Sequence, residues 1–366
     1  MSNHVCVSVI IPFYNAGPYL ERCIDALIRQ TFDKPFEAVM VDDGSTDDSL
    51  NVVKSHNLPW LKLYSLPSNT GPSAARNIGL TIAKGEYVFF LDADDAISAC
   101  TLKTLYGHAK RNDLDLVFND TQRIEDSINQ SEDIFVHPTD KVYSDNDITE
   151  ELKRRIYDPL FLEGLIGIKG RLIKRSIIVH NSLTFEENLR YLEDEIFSWD
   201  VLAYCSKTKY IRKQLYSYYV NPSLKSAVSA AFEYDFPASN FKLAKLHIQN
   251  CFRKRGLCAQ ETESLAEHAF ISFIIGALVS YSRSMLLGKV DLKIGRKRRK
   301  NLIKELLKDP DVSKAIRNYA PSESESLLIP RAITWKCRKL LEFACTKRAK
   351  QILRIRRQAK VRPSPA

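Results

Sequence analysis

The stretch that decides the fold is Val88–Ser98, "VFFLDADDAIS". Val88, Phe89, Phe90 and Leu91 form an unbroken apolar run, and three carboxylates, Asp92, Asp94 and Asp95, follow directly. A short continuous apolar run predicts a strand covered on both faces, as in a parallel sheet. Like charges so close together repel. The strand end therefore either gathers a cation or is a wet loop leading into the next helix.

Working outward, the same pattern recurs. "VCVSVIIP" (Val5–Pro12) is a β-branched run closed by proline and reads as a buried strand. A helical face follows in Tyr19, Leu20, Cys23, Ile24, Leu27 and Ile28. "FEAVMV" (Phe36–Val41) is a second strand and runs into "DDGSTDDS", where Ser45 or Thr46 can cap the next helix. "LKLYSL" (Leu61–Leu66) is a third strand. "NTGPSAARNIGLTIAKG" predicts a turn, then a helix from about Ser73 that Gly85 ends. "LDLVFN" (Leu114–Asn119) is a fifth strand after "EYVFFL". Strands alternating with helices over short connections predict an α/β fold with a mostly parallel, Rossmann-like sheet. Ligands of such folds bind beyond the carboxyl ends of the strands. Both acidic clusters, Asp42-Asp43 and Asp92-Ala93-Asp94-Asp95, fall at such ends, which points to a site.

The chain of 366 residues, 45% hydrophobic and 27% charged, has ample material for a core. Its net charge of +10 is uneven. From Lys289 to Ala366 there are 23 Lys+Arg against 7 Asp+Glu, and the remainder holds 31 against 37. Basicity thus belongs to the C-terminal tail. Among eight cysteines none forms a CxxC pair, and several lie in apolar surroundings, as free buried thiols do. No signal peptide is legible, so the expected setting is the cytoplasm, with an association at the inner face of the membrane left open. "AFISFIIGALVSY" (Ala269–Tyr281) is shorter than the ~20 apolar residues a membrane span takes and reads as a buried helix.

An Asp-x-Asp in extended geometry points two carboxylates the same way. Asp92 and Asp94 could therefore share a hard divalent cation, Mg²⁺ or Mn²⁺, together with substrate phosphates. Taken alone, helix-capping or loop acids explain the pattern equally well. Asp42, Asp47 and Asp48 read as solvated turn or helix-start residues.

The ordered series "VSVIIPFYN", "EAVMVDDGSTDDS", "NTGPSAARNIGL" and "AKGEYVFFLDADD", over about Val7–Asp95, resembles the nucleotide-binding half of the inverting family 2 glycosyltransferases, which have a GT-A fold. The resemblance implies transfer of a sugar from a nucleotide-diphosphate donor, a UDP-sugar by family frequency, to a glycan or lipid-linked glycan acceptor in cell-surface polysaccharide synthesis. It implies Pro12 and Tyr14 along the nucleotide pocket and Asp43 accepting from uracil or ribose. Arg76 would face base or diphosphate, Asp92 ribose and metal, and Asp94 would be the main ligand of Mn²⁺ or Mg²⁺. It also places a general base in "LTFEENLRYLEDEIFSWDVL", at Asp194, with Glu193 as its neighbour and a contact to the acceptor. The chain departs from the family where Ile168-Lys169-Gly170 replaces a Trp found in many relatives, and where Tyr219-Val220 stands in place of an Arg; Lys225 is a weak replacement charge. Asp95, on the opposite face of an extended chain, reads as a supporting residue or a helix cap.

The expected organisation is a transferase domain at 1–228, divided into a nucleotide-sugar half (1–120) and an acceptor and base half (121–228). A helical region follows at 229–288 and a basic tail at 289–366. In the tail, Arg331–Arg362 can form one basic amphipathic helix, able to lie on an anionic membrane or to pack on its own domain. No nucleic-acid-binding motif accompanies it. Two other readings stand beside the transferase. A nucleotidyltransferase would carry a basic, Gly-rich loop after the first strand, where "PFYNAGPYL" has no basic residue. A non-catalytic binding module fits poorly with an intact set of Asp43, Arg76, Asp92, Asp94 and Asp194.

Overall fold

A computed structural model describes residues 4–125, 130–134, 138–157, 165–189, 191–220, 238–321 and 325–361. Lys225 lies outside them. The chain forms two compact units. One gathers Met1–Glu151 and Leu162–Leu224, the other Leu152–Phe161 and Lys225–Ala366.

The first unit is built on a ten-stranded sheet. Its strands are β1 (Val7–Phe13), β2 (Phe36–Asp42), β3 (Leu61–Ser65), β4 (Tyr87–Phe90), β5 (Ala96–Ile97), β6 (Leu116–Glu125), β7 (Gln130–Ile134), β8 (Lys141–Tyr143), β9 (Arg171–Lys174) and β10 (Thr208–Val220). The order is β3-β2-β1-β4-β9-β6-β10-β5, with β7 beside β6 and β8 beside β10. Strands β3, β2, β1 and β4 pair in parallel, as do β6 and β10. Between these blocks β9 runs antiparallel to both β4 and β6. With β5 and β8 antiparallel to β10 and β7 antiparallel to β6, the result is an α/β sheet whose longest ladders are parallel. Helices α1 (Gly17–Ile28), α2 (Ser49–Ser55), α3 (Pro72–Ile82) and α4 (Thr101–Asn112) connect the strands.

The alternating side chains of β1 divide between two layers. Val7, Val9, Ile11 and Phe13 pack with Leu20, Cys23, Ile24 and Leu27 of α1 and with Leu102 and Leu105 of α4. On the other face Val39 and Val41 meet Ala75, Ile78 and Ile82 of α3. Both faces are covered, which is why these strands read as continuous apolar runs.

Local details differ from the sequence reading. Helix α2 starts at Ser49, with Asp48 at its N-cap, because Ser45 and Thr46 are bound elsewhere. Helix α3 begins at Pro72 and stops at Ala83. Gly85 lies beyond it and serves a close approach: a Cβ there would sit 2.4 Å from the Ser8 backbone nitrogen. The fifth predicted strand is β6, which starts later and extends to Glu125.

The remaining helices of the first unit are α5 (Asp145–Tyr157, whose last residues group with the second unit), α6 (Arg175–His180) and α7 (Glu193–Leu202). The second unit adds α8 (Ser239–Lys254), α9 (Ala259–Leu286), α10 (Leu292–Lys308), α11 (Pro310–Ala315), α12 (Leu328–Thr334) and α13 (Arg338–Val361). The short apolar run Ala269–Tyr281 is the middle of the 28-residue α9. By length and composition α9 could cross a membrane, but 72% of its apolar window is buried. The tail is not one helix from Arg331. It breaks at Trp335–Cys337, where Lys336 takes φ +51°. Leu341, Ala344, Cys345 and Ala349 of α13 are buried, so this face packs on its own unit.

Candidate active site

The loops leaving β1 and β2 lock together. Asn15, at φ +47°, accepts with Oδ1 from the Thr46 backbone N–H at 2.8 Å, and its own N–H donates to Ser45 Oγ at 3.0 Å. Ala16 N–H donates to Ser49 Oγ at 2.8 Å. Gly44, at φ +71°, has no room for a Cβ against the backbone of Ser68. Asp42 is buried, against the expectation of a solvated turn residue, because its Oδ1 accepts from Ser45 N–H and orders the turn. Asp47 and Asp48 are exposed, as read. Pro12 is half-buried, and Tyr14 is 45% exposed at the rim.

Asp43 is 3% exposed. Its Oδ1 accepts from Thr70 N–H (2.7 Å) and Thr70 Oγ (3.0 Å), and its Oδ2 from Gly71 N–H (2.8 Å). It therefore ties the end of β2 to the N-terminus of α3, the helix that carries Arg76.

Arg76 is buried and reaches the opening acidic stretch. Its Nη2 donates to Asp92 Oδ1 at 3.2 Å, and its Nη1 lies 3.8 Å from Glu193 Oε1. Among the described residues, Nε and Nη1 have no hydrogen-bond acceptor. Burial opposes the charge, but Asp92, Glu193 and Asp194 outweigh it and raise the guanidinium's pKa.

The three carboxylates after β4 diverge in role. Ligand oxygens of Asp92, Asp94 and Asp95 all lie within 4.8 Å of one another. Asp95 is wholly buried and accepts from Tyr216 Oη (2.7 Å), the Tyr219 backbone N–H (2.9 Å) and Lys169 Nζ (3.1 Å). It supports the site and pins β10 and is not a cap, since α4 begins at Thr101. Asp92 is held by Arg76 on Oδ1 and by Lys169 Nζ on Oδ2 at 2.8 Å. Burial works against its charge, but Lys169 and Arg76 hold its carboxyl well below the usual range. Asp94 is the most open of the three and makes no ion pair to another side chain among the described residues. Burial and the Asp92 charge raise its pKa.

Sequence reasoning missed Lys169, which registered only as the loss of a Trp. The lysine sits between Gly167 and Gly170, both at positive φ, where its backbone bridges Phe90 just before β9. Its ammonium also lies 4.1 Å from the centroid of the Tyr218 ring. Arg22 of α1 was missed too; it donates to the Asp94 carbonyl and stacks 3.5 Å over Tyr219.

The acidic segment is brought to the same place by aromatic packing. Phe185 and Phe197 stack at 3.9 Å, and Phe90 of β4 meets both edge-on at 5.3 and 5.8 Å. Asn77, next to Arg76, donates to the Phe185 carbonyl and to Glu187, both at 2.9 Å, and accepts from Phe185 N–H. Leu192 at φ +71° then starts α7, with Glu193, Asp194 and Glu195 in its first turn, where the helix dipole favours anions. Burial and the adjacent Asp194 carboxylate push Glu193 up to about 7. Asp194 Oδ1 accepts from Glu195 N–H at 2.8 Å. The site thus combines hard oxygen donors, a buried guanidinium with unused N–H groups, and the carboxylates of Glu193 and Asp194.

The Rossmann-like sheet thus carries acids at its strand ends, with a second acidic segment reached through Arg76. Residues 8–159 match the family described as Glycosyl transferase family 2, which marks that part of the chain as a family 2 glycosyltransferase domain. The glycosyltransferase EpsJ of Bacillus subtilis, described as uncharacterized, is 28% identical over 261 residues, spanning 70% of this chain and 73% of that protein. Poly(ribitol-phosphate) beta-N-acetylglucosaminyltransferase TarP of Staphylococcus aureus is 31% identical over 218 residues, which are 58% of this chain and 62% of TarP. The crystal structure of S. aureus TarS 1–349 in complex with UDP-GlcNAc has the same fold: TM-score 0.67, 22% identity, covering 95% of this chain and 92% of that one.

Proposed function

We propose that the chain is an inverting glycosyltransferase that moves a sugar from a UDP-sugar to a glycan or lipid-linked glycan acceptor in cell-surface polysaccharide synthesis. The carrying observation is the buried Arg76, which contacts Asp92 of the donor-side motif and Glu193 of the acidic segment at once. The UDP-GlcNAc bound in TarS and the β-transferase name of TarP support this donor class and an inverted product.

In this reading residues 1–228 carry the transfer, with 1–120 holding the nucleotide sugar and 121–228 supplying the base. Pro12 and Tyr14 flank the nucleotide, and Arg76 offers its unused N–H groups to base or diphosphate, for which a planar guanidinium is suited. Asp43 contributes by fixing Thr70-Gly71 and, through its remaining lone pairs, by accepting from uracil or ribose. Asp194 takes the proton of the acceptor hydroxyl as it attacks the anomeric carbon, and Glu193 orients the acceptor.

The donor set fits Mn²⁺ or Mg²⁺: carboxylate oxygens only, closely grouped, with Asp94 open and Asp92 beside it. Such an ion, when bound, would neutralise charge on the leaving diphosphate. Asp95, already accepting from three donors, is a supporting residue.

A screen of nucleotide sugars with Mn²⁺ or Mg²⁺ tests the proposal. Metal-dependent release of UDP from one donor, with an inverted anomer in the product, is expected. Failure to bind or turn over any nucleotide sugar would overturn it.

A further inference from the structure

Lys169 is placed where a divalent ion would need room. Its ammonium touches Asp92 Oδ2 at 2.8 Å and Asp95 Oδ2 at 3.1 Å, while the Tyr218 ring lies 4.1 Å away. The side chain is two-thirds covered. The turn that presents it is fixed: Gly170 is at φ +67°, and a Cβ there would press on Asn119. An ion shared by Asp92 and Asp94 would sit on a carboxylate whose two oxygens already face Arg76 and Lys169, with the ammonium a few ångströms away.

We propose that Lys169 is a built-in counter-cation of this carboxylate cluster and competes with the divalent ion for Asp92. The inference rests on reading Asp92 and Asp94 as the metal site. With Lys169 on Asp92 the cluster is partly neutralised, so metal binds weakly until the ammonium moves away. Asp95 gives the displaced ammonium a place to stay, next to the diphosphate the donor would bring.

Mn²⁺ alone, titrated at low salt and followed by the paramagnetic resonance of free Mn²⁺, tests this on the full chain. Lys169→Met should bind Mn²⁺ on the order of tenfold or more tighter than wild type, as one unit charge a few ångströms from a divalent ion is worth even at the dielectric of water. Lys169→Arg keeps the charge and should stay within about twofold of wild type by the same argument. Equal or weaker Mn²⁺ binding by a folded Lys169→Met, with Asp94→Asn still abolishing binding, overturns the competition and leaves the metal site standing. Mn²⁺ binding that is undetectable in every variant, or unaffected by Asp94→Asn, overturns the metal-site reading and this inference with it.

A second observation stands apart, in the second unit. Leu286, Leu287, Leu292 and Ile294 are each 41–52% exposed around the turn between α9 and α10. Lys293, Arg296, Lys297 and Lys300 follow on exposed positions at three- and four-residue steps of α10, with Asp291 the one exposed acid among them. Apolar side chains set in a basic rim are the chemistry of an anionic membrane surface. We infer that this helix turn carries membrane contact. Wild type should float with anionic vesicles and not with neutral ones at low salt. Leu287→Ser/Ile294→Ser and Arg296→Glu/Lys297→Glu should each lose most of that binding, while truncation before Arg338 keeps it. Binding that survives both double variants, is lost only on truncation, or never occurs in wild type overturns the inference.

Discussion

Glu193 should make the protein less stable at alkaline pH, and Glu193→Gln should remove that cost. The carboxyl is 14% exposed and sits beside Asp194, so its pKa rises from 4.5 to about 7. A carboxylic acid raised in the folded state holds its proton there longer than in the unfolded chain. Its penalty is absent below pH 4.5, grows between 4.5 and 7, and is complete above 7. At about 1.4 kcal/mol per pH unit, a shift of this size is worth roughly 3 kcal/mol. Gln also gives up the 3.8 Å contact with Arg76, which leaves an expected net gain of roughly 1–3 kcal/mol at pH 8 and none at pH 4.5. Urea unfolding followed by tryptophan fluorescence measures it. A Trp335→Phe background, in which the exposed tryptophan of the second unit is removed, leaves Trp60 and Trp199 to report on the first. A Gln variant no more stable than its parent at pH 8, or one whose gain is the same at both pH values, refutes the reasoning.

Asp194→Asn should lower turnover by about 10²–10⁴-fold, the usual worth of a general base, with donor affinity measured by calorimetry little changed; wild-type turnover would remove Asp194 from that role. Asp43→Ala, which leaves the Thr70 and Gly71 donors without their acceptor, should destabilise the first unit by about 2–4 kcal/mol in urea and also weaken UDP binding. Gly85→Ala must push Ser8 backbone aside and should cost at least about 2 kcal/mol with no specific effect on metal affinity. A chelator should suppress turnover, with Mn²⁺ restoring wild type and failing to restore Asp94→Asn.

The strands that carry the donor-side motifs were legible because parallel strands covered on both faces announce themselves locally. Val7–Phe13, Phe36–Asp42 and Tyr87–Phe90 each need only their own residues to be recognised. What escaped depends on distant pairing. Lys169 reaches Asp95 across 74 positions, and Tyr216 reaches it across 121. Both contacts require the short antiparallel β9 to slot between β4 and β6, and nothing in "RLIK" specifies that place. Asp42 looked solvated because its acceptor role depends on how the turn to Ser45 closes. The break in the tail was invisible for a different reason: Lys336 takes a left-handed conformation without the glycine that normally signals one.

Helix α3 holds both sides of the cleft, Arg76 by charge and Asn77 by hydrogen bonds to Phe185 and Glu187. Recognition of donor and acceptor is therefore not modular here in the way the order along the chain invites. A chimera that imports another relative's acidic segment, cut anywhere between Phe185 and Leu202, would seat it on a foreign helix and misplace its base. Exchange of acceptor preference between such enzymes would have to move α3 and the acidic segment as one piece, although more than a hundred residues of chain separate Asn77 from Phe185.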